Sequence, residues 1–415
     1  MLGADAETRF HLLMEAAGNS PFWRRRGLAK ATDADRNFSA LEPVTKAEIL
    51  VEQATAKPYG LIPAVPSNRL VRVHQSSGTS GNPLVWADTA EDWSRLLAQW
   101  DQLFQIAQVT EGDRFFFPFS FGPFLGFWSA FESVARSGRF CLAGGGLSSI
   151  ARLRFIEDHR ITVVLTTPSY ASHLADLAAK AEIELAGGPV RLLILAGEPG
   201  ASMPGVKARL EQAWGAIVLD HHGMTEVGPV SMECPLAKGE LHLLDDWYLV
   251  EEGALSSDLG EESQDKNGIS ELVLTPFARR GMPLIRYRTG DRVRLVEGIC
   301  RCGKAGTRLV GGILGRLDDM MIVRGNNVYP QAIEDWIWKH PEVNDFQGKL
   351  MESSGLSKLV LFVEFNAQEN FHSEMAKRLA QGFADRFLFQ VDVVSVLPGT
   401  IPKSEHKAKR WIRGK

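Results

Sequence analysis

A chain of 415 residues is long for one domain, and its 45% hydrophobic and 23% charged residues suffice for a sizeable core in two or three. A formal net charge of −4 gives no support to a nucleic-acid partner or an anionic membrane surface. Four cysteines argue against a disulfide scaffold and fit a reducing, cytoplasmic compartment.

The N-terminal stretch carries Asp5, Glu7 and Arg9 without a continuous apolar run, so no signal peptide is read there. Residues 1–70 read as helices and connectors, with Thr45 and Glu48 as a capping signature ahead of Ile49, Leu50 and Val51. Leu70, Val71 and Val73 then read as a strand leading into Ser76-Ser77-Gly78-Thr79-Ser80-Gly81-Asn82-Pro83. Taken alone, that run is either a flexible surface loop or a phosphate cradle. Its glycines allow close backbone approach, and its hydroxyls and free N–H groups supply donors. The lysine and spacing of the P-loop motif are absent.

Thr89 to Ala107 places Trp93, Leu96, Leu97, Trp100, Leu103 and Phe104 at helical spacing behind Glu91 and Asp92, an apolar stripe read as core. From Arg114 onward, runs at 115–119, 139–143, 161–165, 190–196 and 216–219 read as strands, separated by helical periods at 149–159, 168–181 and 204–214. Such alternation predicts a parallel, helix-covered sheet with its ligand at the carboxyl ends of the strands. Those ends carry Thr166-Thr167-Pro168, Gly197-Glu198-Pro199 and His221-His222-Gly223-Met224-Thr225-Glu226. The uncharged aromatic stretch Phe115 to Phe131 is shorter than ~18 residues and is broken by Pro118, Gly122, Pro123 and Gly126. A strand, a loop and a helix start are expected there instead of a membrane span.

Past Gly228 the pattern changes, and runs at 269–275 and 284–295 alternate like antiparallel strands. Beyond Gly315 come a glycine turn, a helix at 331–340, a strand at 358–365, a helix at 369–386 and a strand at 390–396. The fold class expected is therefore α/β. Residues 1–314 would form a large N-terminal domain with a parallel helix-covered sheet and a β-rich subdomain; residues 315–415 would form a small α+β C-terminal domain.

Five segments then line up in order: Ser76–Pro83 (SSGTSGNP), His222–Gly228 (HGMTEVG), Tyr287–Asp291 (YRTGD), Gly315–Pro330 (GRLDDMMIVRGNNVYP) and Pro402–Arg410 (PKSEHKAKR), with Tyr59-Gly60-Leu61-Ile62-Pro63 ahead of the first. On these the chain resembles the adenylate-forming superfamily of acyl-CoA ligases, and within it the phenylacetate–CoA ligase family, over essentially its whole length. The resemblance implies activation of a carboxylic acid by ATP to an acyl-adenylate, with loss of pyrophosphate, and then acyl transfer to the thiol of coenzyme A.

It also implies roles. Ser76, Ser77, Gly78, Thr79, Ser80 and Gly81 would hold the β- and γ-phosphates, and Thr225 would touch the α-phosphate. Glu226 would hold Mg²⁺, a hard cation that takes carboxylate and phosphate oxygens. Asp291, with Arg316 beside it in the ATP-binding set, would accept from both ribose hydroxyls. Gly197, Glu198 and Pro199 would line the adenine pocket. Lys407 would bridge carboxylate and α-phosphate, where negative charge crowds in the transition state. The C-terminal domain would be a mobile lid hinged at Asp318, which swings Lys407 out and the Gly325 loop in for coenzyme A. Two positions depart from the family: His406 stands where glycine is usual, and Asn82 where lysine is common.

For the acid, Phe119, Phe121, Gly122, Phe124, His221 and His222 are the pocket candidates, suited to a flat aryl or arylacetic acid. The histidines would bond a ring substituent or pack against the nucleotide, two readings left open. Cys234, His242, Cys300 and Cys302 would form a closed structural Zn²⁺ site or remain buried thiols. Coenzyme A is the expected acceptor; a carrier-protein phosphopantetheine, an amine, or a catalytically silent nucleotide-binding relative are the alternatives. No nucleic acid and no membrane are expected as partners, and a homodimer is the assembly carried forward.

Overall fold

The computed structural model describes residues 3–28, 38–76, 83–255, 265, 267–323, 326–353, 356–402 and 410–413. Its backbone is a nine-stranded sheet in two halves. From one edge run Leu295–Ile299, Ala305–Val310, Ala237–Leu243, Gly228–Cys234, Ile217–Met224, Leu192–Leu195, Val163–Thr166, Phe115–Phe117 and Cys141–Ala143. The last five strands are parallel to one another. Helices Leu125–Arg136, Ser149–Asp158, Pro168–Lys180 and Pro204–Trp214 connect them. Ile217–Met224 pairs parallel with Leu192–Leu195 on one side and antiparallel with Gly228–Cys234 on the other. The strand alternation therefore delivers the expected parallel half. Part of the β-rich region beyond Gly228 continues the same sheet through this one strand, and the rest forms a second sheet.

The amphipathic helix forms at Ala90–Ile106, closed at its start by a capping box between Thr89 and Asp92. Its buried stripe, Trp93, Leu96, Trp100, Leu103 and Phe104, joins the main core with Phe115, Phe117 and Leu219. Burying each such side chain stabilises the fold by about 1.5–3 kcal/mol. The expected aromatic strand shortens to Phe115–Phe117, with its helix beginning at Leu125. Among the described residues, no helix is long and apolar enough to cross a membrane.

A second sheet orders Val44–Thr45, Tyr287–Val293, Ser270–Pro276 and Tyr248–Gly253. Along Tyr287–Val293 every second residue is buried. That period of two places Tyr287, Thr289 and Asp291 on one inward face.

The C-terminal residues have their own core, in which Ile333, Ile337, Phe346, Leu359, Leu361, Val363 and Phe383 pack together. They come from helices Pro330–Ile337 and His372–Phe387 and from a sheet ordered Asp392–Val396, Leu356–Phe365, Val343–Ser353 and Trp411–Arg413. The strand Val343–Ser353 has no counterpart in the sequence reading. It is rich in polar residues, and a register shift between Val343 and Asp345 interrupts its alternation.

Helix Pro204–Trp214 seats this core against the large one. At Gly205 an added Cβ would lie 2.4 Å from the Trp338 carbonyl, so only glycine permits the approach. Arg209 then donates to the carbonyls of Val343 at 2.8 Å and His340 at 2.7 Å.

Candidate active site

The inward face of Tyr287–Val293 meets the end of Ile217–Met224, and the carboxylates converge there. The Tyr287 hydroxyl donates to Glu226 Oε1 at 2.6 Å, and both residues are buried. Four residues along the same face, Asp291 accepts from Arg316 Nη1 at 2.9 Å on Oδ1 and from His222 Nε2 at 3.1 Å on Oδ2. A carboxylate only accepts, so His222 carries its proton on Nε2. Arg316 also donates through Nε to Asp318 Oδ1 at 2.9 Å, tying Asp291 to the expected hinge residue. Removal from water, followed by the adjacent Glu226 charge, raises the Tyr287 phenol well above its ordinary range, so it remains a donor.

Behind this cluster lies a fully buried ion pair. Arg279 grips both oxygens of Asp88, at 2.7 and 2.8 Å, and its other nitrogen donates to the Thr225 carbonyl. The turn that presents Thr225 and Glu226 is thus anchored to the hairpin strand Val85–Thr89. The sequence reading missed Arg279. Its signal was a pair of arginines, Arg279 and Arg280, closing the apolar run Phe277-Ala278.

On the other side of Ile217–Met224 opens a cavity of about 410 Å³. Its walls include Phe119, Phe121, Gly122 and Phe124, as expected, and His221. Trp100 and Trp128 complete them, so the helix stripe read purely as core also contributes a wall. Thr225, Gly223 and Gly197 reach the same space. His222 does not. Neighbours on a strand point to opposite faces, and His222 joins the charges while His221 joins the aromatic wall. Of the two histidines expected at the acyl pocket, His221 lines this cavity and His222 does not.

The remaining candidates spread around this centre. Ser76 closes the base of the hairpin, with its N–H on the Leu84 carbonyl at 2.8 Å and its Oγ accepting from Leu84 N at 2.9 Å. Next to it, Gln75 N donates to Pro123 O at 2.6 Å, joining the hairpin base to the cavity wall. Glu198 accepts from Ser169 N at 2.7 Å, at the start of helix Pro168–Lys180. Pro199 turns into a second cleft, of about 370 Å³, between that helix and the C-terminal core. Ser77, Gly78, Thr79, Ser80, Gly81, Gly325 and Lys407 lie outside the described residues.

Cys234, His242, Cys300 and Cys302 are brought together from two strands and a hairpin turn, with all four donor atoms within 4.8 Å of one another. Cys300 Sγ is 3.8 Å from Cys234 Sγ, and Cys302 Sγ is 3.3 Å from His242 Nε2. Bonds of ~2.3 Å to sulfur and ~2.0 Å to nitrogen around a tetrahedral ion require similar spacings. The donor set fits zinc.

Comparison with known proteins agrees with this geometry. The model of the AMP-binding enzyme family matches residues 23–250, and that of the AMP-binding enzyme C-terminal domain matches residues 325–414. The phenylacetate-coenzyme A ligase of Pseudomonas putida is 29% identical over 95% of this chain and 90% of its own length. That of Thermus thermophilus is 30% identical, over 93% and 90%. In fold, the chain matches a 2-hydroxyisobutyryl-CoA ligase in the postadenylation state with a TM-score of 0.88 at 24% identity, over 99% of this chain and 89% of that one. The chain belongs to the AMP-binding enzyme family, on its phenylacetate–CoA ligase branch.

Proposed function

We propose that the chain is an ATP-dependent, AMP-forming ligase that converts an aryl or arylacetic acid into its coenzyme A thioester. The observation that carries this reading is the cluster of Glu226, Tyr287, Asp291, His222 and Arg316 beside Thr225, a residue that also lines the aromatic cavity. A nucleotide needs that ionic cluster, a flat acid needs that cavity, and Thr225 borders both.

In this reading Asp291 takes the ribose hydroxyls and Arg316 and His222 hold its carboxylate in place. Glu226, oriented by the Tyr287 hydroxyl, is the ligand for Mg²⁺, which when bound neutralises phosphate charge. Thr225 faces the α-phosphate, Ser76 to Gly81 the outer phosphates, and Gly197, Glu198 and Pro199 the adenine. Residues 1–314 carry these groups apart from Arg316, and residues 315–415 act as the lid, pivoting at Asp318 to exchange Lys407 for the Gly325 loop. Lys407 supplies the cation for adenylation, and the Gly325 loop passes the pantetheine arm. The cytoplasm, which supplies ATP and coenzyme A and keeps thiols reduced, suits these four unpaired cysteines.

Acid-dependent release of pyrophosphate from ATP, screened over substituted benzoates and arylacetates, tests the reading. The expected result is release with at least one aryl acid, and thioester formation when coenzyme A is added. Silence across the panel defeats it. Release without thioester would move the acceptor to a carrier-protein phosphopantetheine or an amine.

We assign zinc to Cys234, His242, Cys300 and Cys302, where four protein ligands leave no open position and the role is structural. Metal analysis after dialysis should find close to one equivalent, and Cys300→Ser should lose both the metal and thermal stability. Less than a tenth of an equivalent in the unmodified protein removes the assignment.

A further inference from the structure

The apolar cavity contains one oriented acceptor. His221 is only 7% exposed, and its Nδ1 lies 2.8 Å from the Ser231 carbonyl. A carbonyl cannot donate, so Nδ1 carries the proton and Nε2 presents its lone pair. Burial holds the ring's pKa down to about 3, which keeps it neutral across any working pH.

Nε2 has no hydrogen-bond partner among the described residues. It lies 3.4 Å from the point where a Gly223 side chain would begin, and both residues line the cavity. The ring cannot turn away, because it is wedged against Trp100 with centroids 4.4 Å apart. Neither neighbouring indole can satisfy it: Trp100 Nε1 donates to Ser129 Oγ at 2.8 Å, and Trp128 Nε1 to the Gly122 carbonyl at 2.9 Å.

A buried acceptor without a partner is costly once an apolar group seals it from water. Thr225, which the ligase reading sets beside the reacting carboxylate, lines the same cavity as His221, so an acid seated with its carboxylate toward Thr225 shares that space with His221 Nε2.

We propose that the acid activated here carries a hydrogen-bond donor on the ring edge remote from its carboxylate, a hydroxyl, an amino group or a ring N–H, and that His221 Nε2 reads it. This rests on the ligase reading above and narrows its substrate class from aryl acids to donor-bearing aryl acids.

The test compares pairs of benzoates and arylacetates in which a meta or para hydroxyl or amino group is replaced by methyl. Pyrophosphate release gives kcat/KM for each member. The best donor-bearing acid should exceed its methyl isostere by roughly 5–150-fold, since that span corresponds to the cost of leaving the acceptor unmatched. In His221→Leu the ratio should fall to about one. Equal use of hydroxyl and methyl isosteres by the unmodified protein overturns the proposal, as does a preference that survives in His221→Leu. Should that variant fail to fold, the isostere pairs on the unmodified protein decide alone. Absence of release with every acid refutes the ligase reading itself, and this inference with it.

Discussion

His221 and His222 leave one strand in opposite directions, the first into an aromatic cavity and the second into a cluster of charges. On the cavity side burial strips the imidazole of charge, and its single free lone pair becomes a selective feature. On the ionic side each carboxylate already has a partner before any ligand arrives: Asp291 holds Arg316 and His222, Glu226 holds Tyr287, and Asp88 holds Arg279. The difference teaches that one strand can serve two chemistries at close quarters. Its pleat keeps the apolar cavity apart from fixed charge and sets pre-oriented polar groups on the ionic side.

Breaking the ionic side from beneath should have the largest effect. Arg279→Met leaves the Asp88 carboxylate buried and unpaired, which costs about 3–5 kcal/mol. Denaturant unfolding should register this loss, and a change below about 1 kcal/mol would mean that the pair is not structural.

Next comes the chemical step. Lys407→Ala should lower adenylate formation by ~10²–10³-fold while sparing thiolation of a supplied acyl-adenylate. Loss of both partial reactions to the same degree would refute the swinging-lid assignment.

Tyr287→Phe removes only the donor that orients Glu226, and KM for Mg-ATP should rise by roughly 10–100-fold. Selectivity among aryl acids should stay as it was. If selectivity changes too, the two faces are not independent.

The smallest effect concerns pH. Removal from water, followed by the neighbouring Glu233 charge, pushes the Asp220 carboxyl up to about 7. Unfolded, it would titrate near ~3.9, so between these values the folded protein binds the extra proton. Stability from this group is full below the unfolded value and is lost as pH rises through about 7. Acidification from pH 8 to pH 5 should therefore stabilise the protein, by at most about 1.4 kcal/mol per pH unit. Asp220→Asn should flatten that limb of a melting-temperature profile, and an unchanged profile would point to another group.

What the sequence determined by itself was local. Hydroxyls and glycines at Ser76–Gly81, the acid after Thr225 and the acid after Thr289-Gly290 state their chemistry within a few residues. The stripe of Ala90–Ile106 and the apolar runs of the parallel strands follow from helix and strand periods alone. Tertiary structure alone decided which histidine faces the aromatic cavity. The pairing of Ile217–Met224 with Gly228–Cys234 shifts register between His222 and Gly223, and no local pattern announces such a bulge. It also decided that Arg279 would meet Asp88, 191 residues away. A composition can specify what a segment is able to bind, but the partner of a buried charge is fixed only when distant strands come into register.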